Sequence, residues 1–262
     1  MQTAPLQSLA GARILITRPK AENRLLSEKL RALGAVTIEL PTIAIFPPTD
    51  KSLLDRSIKR LSEYDWVIFT SVHGVRFFSK RMAALGEPAD RLREVKVAAI
   101  GPATAASLEK LGAKPDYVPE VFLSEQFAHG LGEVNGKRIL LPRADIASGK
   151  LPALLRKRGA IVEEVVAYRT VIPDDLSWDR LQSILKQGVD VATFTSPSTV
   201  RNLAHVAGAH PLETLLKSVK VACIGPVTAE ATKELGVHVD IVAPSHTIND
   251  LVEAIVNEIG TV

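Results

Sequence analysis

Short apolar runs alternate with amphipathic stretches along the whole chain. RILIT at 13–17, WVIFT at 66–70 and KVAAI at 96–100 are rich in Val, Ile and aromatics and nearly continuous in apolar character. Such runs predict strands buried on both faces. Between them the period lengthens. Residues 21–33 set Leu25, Leu26, Leu30 and Leu33 on one helical face, and residues 248–259 do the same with Ile248, Leu251, Val252, Ile255 and Ile259. Strand–helix alternation predicts right-handed βαβ units, and hence an α/β protein of parallel sheet flanked by helices.

The pattern occurs twice. GARILITRP at 11–19 matches GKRILLPRA at 136–144, and LGAVTIELP at 33–41 matches RGAIVEEVV at 158–166. DWVIFTSVHGVRFF at 65–78 matches DVATFTSPSTVRNL at 190–203, and VKVAAIGPATAASLEKLG at 95–112 matches VKVACIGPVTAEATKELG at 219–236. The offset is 125 residues in the first three blocks and 124 in the fourth, so the chain is an internal duplication. Two copies predict two lobes and exclude a solenoid or propeller. The stretches around Pro41–Pro48 and Ala167–Pro173 run into proline at equivalent places in the two copies, which suits chain crossings between lobes. If both are crossings, the lobes are discontinuous. The alternative is two contiguous lobes split near Asn135–Gly136, and the commonness of contiguous domains favours it slightly.

Composition narrows the function. Apolar residues make up 46% and charged residues 23%, ordinary for a globular protein. Lys and Arg total 32 against 29 Asp and Glu, and a net +3 gives no reason to expect nucleic acid. The one cysteine, Cys223, excludes an internal disulfide and suits a cytoplasmic protein. It pairs in the repeat with Ala99, which predicts a small core residue. The N-terminus lacks the features of a signal peptide, and no apolar run approaches the ~20 residues of a membrane span. P-loop, G-x-G-x-x-G, G-x-S-x-G and H-E-x-x-H patterns are absent, so no metal and no cofactor is expected.

In parallel sheets ligands sit beyond the carboxyl ends of the strands. Thr17-Arg18-Pro19, Thr70-Ser71, Gly101-Pro102, Pro142-Arg143, Thr195-Ser196-Pro197-Ser198 and Gly225-Pro226 stand there, each before a helix. Glycine permits close backbone approach, proline suits a first helical turn, and free N–H groups at a helix start attract anions. The candidate ligand is therefore a small organic polyanion, and the candidate binding residues are Thr17, Arg18, Ser71, His73, Gly101, Arg143, Ser196, Ser198 and Gly225. Ser198 and His73 are also candidate helix caps. Tyr168 is a phenol where the other copy has the apolar Ile43.

The set RILITRP at 13–19, VIFTSVHGV at 67–75, AAIGPATA at 98–105, LPRAD at 141–145, VVAYRTV at 165–171, FTSPSTV at 194–200 and ACIGPVTAE at 222–230 resembles uroporphyrinogen-III synthase in order and spacing. That family often has Asn at the place of His73. The resemblance implies two discontinuous lobes of parallel sheet joined by a two-stranded linker. Lobe one would be 1–40 plus 172–262, lobe two 46–166, with linkers at about 41–45 and 167–171. It implies a cofactor-independent carbon–oxygen lyase, a hydro-lyase of tetrapyrrole (haem) biosynthesis that cyclises hydroxymethylbilane with loss of water and inversion of ring D. It points to Tyr168 as the acid that helps the hydroxyl leave, since an ordinary phenol, with a pKa of about 10, is protonated at neutral pH. It adds Thr228 and its repeat mate Thr104 to the substrate-binding residues. The expected partners are the linear tetrapyrrole and, transiently, hydroxymethylbilane synthase. The expected state is a monomer with no nucleic acid and no membrane. The competing class is a two-lobed anion-binding or sensor protein, which an assay of porphyrin isomers would separate from an enzyme.

Overall fold

A computed structural model describes residues 8–121 and 123–260. In chain order the elements are β1 (Arg13–Ile16), α1 (Asn23–Ala32), β2 (Val36–Glu39), β3 (Ala44–Phe46), α2 (Ser52–Lys59), β4 (Trp66–Phe69), α3 (Val72–Ala84) and β5 (Lys96–Ala99). There follow α4 (Pro102–Glu109), α5 (Ser124–Gly130), β6 (Arg138–Ala144), α6 (Lys150–Lys157), β7 (Ile161–Val171), α7 (Trp178–Lys186) and β8 (Val191–Phe194). The chain ends through α8 (Pro197–Ala207), α9 (Leu212–Leu215), β9 (Lys220–Cys223), α10 (Pro226–Lys233), β10 (Ile241–Val242) and α11 (Ile248–Ile259). Its contacts divide into unit 1, Met1–Ala44 with Val171–Val262, and unit 2, Ile45–Thr170.

Each unit holds one five-stranded sheet. In unit 1 the strand order is β10-β9-β8-β1-β2, with parallel registers throughout. In unit 2 it is β3-β7-β6-β4-β5, with parallel registers from β7 to β5. The repeat equates β1 with β6, β2 with β7, β4 with β8 and β5 with β9. Each sheet therefore joins the opening strands of one copy to the later strands of the other. The two strands at which the units divide, β3 and β7, are hydrogen-bonded neighbours.

Aspartates pin these cross-copy joints. Asp190 accepts the Arg13 N–H at 2.7 Å, and its repeat mate Asp65 accepts the Arg138 N–H at 2.8 Å. Both sit at the start of a strand, where the backbone pairing across the joint begins. A second equivalent pair fixes the next strand edge: Asp116 accepts from Val97 N–H at 2.7 Å and Asp240 from Val221 N–H at 2.8 Å. The Lys137 ammonium and the Arg138 N–H hold the Asp65 carboxyl below the usual carboxylate range. Burial pushes Asp240 the other way, but the Val221 N–H and Lys220 outweigh it and the net shift is downward.

The core explains the apolar runs. Alternate residues of unit 1's strands point to opposite faces. Leu15, Phe194 and Val221 pack under α7, α8 and α10, while Ile14, Ile16 and Ala222 pack under α1 and α11. In unit 2, Val67, Phe69 and Leu140 pack under α2, α3 and α4, while Ile68, Ile139 and Leu141 pack under α5 and α6. Strands covered on both faces need apolar side chains at every position. Gly34 and Gly159, repeat mates, turn the chain from α1 into β2 and from α6 into β7 at φ +89° and +84°, a conformation L side chains rarely adopt.

One helical face is narrower than the spacing predicts. Leu26 and Leu30 are wholly buried, but Leu25 is 51% exposed. Leu26, Leu30 and Leu33 follow i, i+4, i+7, and Leu25 falls about 100° around the helix from Leu26. Cys223 is buried as expected of a small core residue, and burial pushes its thiol pKa up to about 11. Among the described residues no helix is long and apolar enough to cross a membrane.

Candidate functional site

Both sheets have a switch point at their carboxyl edge. In unit 1 the helix after β1 covers one face and the helix after β8, its neighbour, covers the other. In unit 2 the same holds for the helices after β6 and β4. Helices leaving to opposite faces open a crevice between adjacent strand ends, where α/β proteins bind ligands.

In unit 2 three of the expected residues come together at this edge. Ser71 is the N-cap of α3, and its hydroxyl oxygen accepts the Gly74 N–H at 3.0 Å. The same oxygen lies 2.9 Å from the Tyr168 hydroxyl. The Tyr168 ring lies 5.5 Å from the His73 ring and stacks on Phe77 at 5.8 Å. His73 lies inside the first turn of α3 and is not its cap.

A bulge aims Tyr168. On β7 the register runs Arg143↔Val166 and then Ala144↔Tyr168, so Ala167 is an extra residue. One extra residue in a strand exchanges the faces to which the following side chains point. Downstream, Asp145 N–H donates to the Tyr168 carbonyl at 3.1 Å and Asp145 Oδ1 accepts the Thr170 N–H at 3.0 Å, which fixes the bulged end. The first turn of α3 then passes close to β6. A Cβ at Gly74 would stand 3.0 Å from the Pro142 carbonyl oxygen.

The Gly-Pro pairs form matching helix starts. Gly101 and Gly225 are the N-caps of α4 and α10, with extended backbone and Pro102 and Pro226 at the first helical position. Neither glycine has a side chain to cap the first turn, and neither start has a side-chain cap bond. Thr104 and Thr228 occupy the third position of these turns and are each 4% exposed. At α8 the N-cap is Ser196, while Ser198 is the second residue of the helix and not its cap. Ser198 is half-buried.

Two expected residues have internal partners. Thr17 is wholly buried, and its hydroxyl donates to the Thr193 carbonyl at 2.7 Å. Arg143 is buried, donates to Glu164 at 2.9 Å and reaches the Ser148 carbonyl. Arg18 is half-buried, 3.4 Å from Glu22. Sequence reasoning passed over His246. The exposed His246 ring covers the Gly225 turn so closely that a Cβ on Gly225 would overlap it. Twenty-one residues separate the two, and no motif links them. Among the described residues no group of three or more His, Cys, Asp or Glu side chains is placed to hold a metal.

The family model for uroporphyrinogen-III synthase HemD matches residues 25–253. The chain is 32% identical to the uroporphyrinogen-III synthase of Synechococcus elongatus over 254 residues, covering 95% of this chain and 96% of that protein. It is 33% identical to a putative uroporphyrinogen-III synthase of Methanothermobacter thermautotrophicus, covering 94% and 98%. A solved mutant uroporphyrinogen III synthase from Thermus thermophilus shares the fold at a TM-score of 0.73 and 21% identity, covering 95% of this chain and 98% of that one. The corresponding Helicobacter pylori structure does so at 0.61 and 17%, covering 94% and 99%.

Proposed function

The chain belongs to the uroporphyrinogen-III synthase family, and on that premise we propose that it closes hydroxymethylbilane to uroporphyrinogen III. The reaction breaks the bond between the terminal hydroxymethyl carbon and its oxygen. A proton joins the departing hydroxide, and water leaves. The azafulvenium that remains is an electrophile stabilised by the electron-rich pyrrole, so no strong base is needed. Closure at the free end of ring D would give isomer I. Attack by the substituted carbon of ring D gives instead a spiro intermediate, which fragments and closes again with ring D inverted, and the ring carbon that forms the last bond then gives up its proton, restoring the neutral pyrrole.

Catalysis of this kind is mostly positioning. The bilane bears acetate and propionate carboxylates on every pyrrole, and the strand ends offer uncapped helix starts at Gly101 and Gly225 and hydroxyls at Ser71, Ser196 and Ser198. In this reading Thr104, Thr228, Arg18 and His73 contact substrate, and Thr17 and Arg143 shape the strand ends from inside. The observation that carries the chemistry is the 2.9 Å pair of Ser71 and Tyr168 hydroxyls. The Gly74 N–H donates to the Ser71 oxygen, and in this reading the Ser71 O–H donates in turn to the Tyr168 oxygen, which holds the phenol in place and leaves its proton directed at the substrate. Tyr168 is then the group that donates to the leaving hydroxyl.

The same reading assigns lobe one to 1–40 plus 172–262 and lobe two to 46–166, with linkers at 41–45 and 167–171. The change of contact unit at Ala44/Ile45 and Thr170/Val171 supports it. It also takes the enzyme as a cytoplasmic monomer that receives bilane in transient contact with hydroxymethylbilane synthase. Light scattering of the chain alone and with that enzyme tests both points. The decisive experiment feeds the protein freshly made hydroxymethylbilane, oxidises the product and resolves the porphyrin isomers. Isomer III is expected. Isomer I alone, at the spontaneous rate, would refute the assignment.

A further inference from the structure

Unit 2 has a groove of about 200 Å³ between α2, α3 and β7. Its walls are apolar: Pro47 and Pro48 from the crossing loop, Leu54 of α2, Phe77 of α3 and Ala167 of β7. Three cations stand around it, Lys51, Lys80 and Arg81. They differ in one respect. The Arg81 guanidinium is held by Asp55 through two bonds of 2.6 Å, a staple between α3 and α2. Lys51 and Lys80 form no ion pair among the described residues. Lys51 shares the field of Asp55 with Arg81, so the positive charge around the hollow exceeds the negative, and an apolar hollow with such a lining favours a ligand with an apolar body and one anionic end.

We propose that this groove binds a small amphipathic monoanion, a flat aromatic body with one carboxylate or sulfonate. Size sets the class, because a dry cavity of about 150 Å³ already holds benzene. The hollow therefore has room for a body of one or two fused rings. Charge sets the orientation, with the ring against Phe77 and Leu54 and the anion toward Lys51 and Lys80. Phe77 also stacks on Tyr168 at 5.8 Å, so the occupant lies against the ring that backs the Ser71–Tyr168 pair. The proposal stands on the groove alone and does not depend on the reaction assigned above.

The probe is naphthalene-2-sulfonate, added to the full chain and followed by amide chemical shifts. Dissociation constants of about 0.1–1 mM are expected for a ligand this small. The shifts should gather at 47–54, 77–84 and 165–168. Neutral naphthalene-2-sulfonamide should bind about fivefold more weakly, as should naphthalene-2-sulfonate to Lys51→Ala/Lys80→Ala, the upper range for an exposed ion pair. Ala84 is exposed at the mouth, and Ala84→Trp should fill the groove and abolish the shifts. Shifts that persist in Ala84→Trp, that gather elsewhere, or that are equal for the charged and neutral probes would overturn the proposal.

Discussion

Unit 1 and unit 2 share the aspartate clamps where their strands begin and carry opposite chemistry where their strands end. In unit 1 four buried threonines knot the edge. Thr17 donates to the Thr193 carbonyl, and Thr193 to the Leu15 carbonyl at 2.9 Å. The Thr42 hydroxyl lies 3.2 Å from the Thr17 carbonyl and 3.0 Å from that of Thr199, and Asn202 reaches the Thr42 carbonyl at 2.8 Å. The repeat mates of Thr17, Thr193, Thr42, Thr199 and Asn202 are Pro142, Ile68, Ala167, Gly74 and Phe77. Every internal hydroxyl or amide of this knot is missing from unit 2. With no side chain to bridge the gap, α3 approaches β6 directly at Gly74. The polar atoms stand elsewhere, where Ser71 meets Tyr168, the mate of Ile43 and like it buried. One frame thus supports an edge whose hydroxyls bond to its own carbonyls and an edge whose hydroxyls meet each other, the one to which the proposed mechanism assigns the acid.

The largest expected effect tests the knot. Thr42→Val keeps the shape and removes a buried donor, so the Thr17 carbonyl keeps only the bond from the Thr42 N–H and the Thr199 carbonyl loses its bond from outside the helix. A loss of about 2 kcal/mol in chemical denaturation is expected. A loss within error would mean that the knot is incidental to the difference between the units.

Next comes the reactive edge. Tyr168→Phe removes one oxygen and keeps the ring on Phe77, so the melting curve should barely move. Steady-state kinetics should show kcat down about tenfold or more with little change in KM, because the hydroxyl acts mainly in the transition state. Isomer III should remain the main product. Unchanged kcat would make both edges structural, and a switch to isomer I would move the role of Tyr168 from proton donation to folding the bilane.

A smaller effect separates capping from chemistry. Ser71→Ala removes the α3 cap and should cost about 1 kcal/mol of stability. It should also lower kcat, since Tyr168 loses the oxygen that holds it. Ser196→Ala is the comparison in unit 1: as a binding hydroxyl with no tyrosine at its edge, it should raise KM and leave kcat unchanged. Equal losses of turnover in the two variants would remove the distinction between the edges.

The smallest change is expected in the core of unit 1. Cys223→Ala introduces the residue that unit 2 has at Ala99. Stability should fall by less than about 1 kcal/mol, from the space the sulfur leaves, with activity intact. A burial-raised thiol pKa of about 11 leaves no thiolate for chemistry near neutral pH. Lost activity with the fold retained would contradict this reading.

The duplication, the strands and most helix faces were legible in the sequence, because burial on one or both faces imprints a local period on the residues that form an element. The family was legible because its motifs lie at strand ends in fixed order. Leu25, Ser198 and His73 were misplaced by a helical turn or less, since spacing fixes a stripe better than its edge or its cap. The residue pattern left open which third of one copy joins the other; the family resemblance implied the crossed arrangement, and contacts such as Arg13–Asp190 across 177 residues make it. Tertiary structure alone decided that Thr17 and Arg143 turn inward, that Ala167 is the extra residue that aims Tyr168, and that His246 covers Gly225. Each depends on what a polar or bulky group meets from a distant segment, and a hydrogen-bond partner leaves no periodic trace in the residues on either side of it.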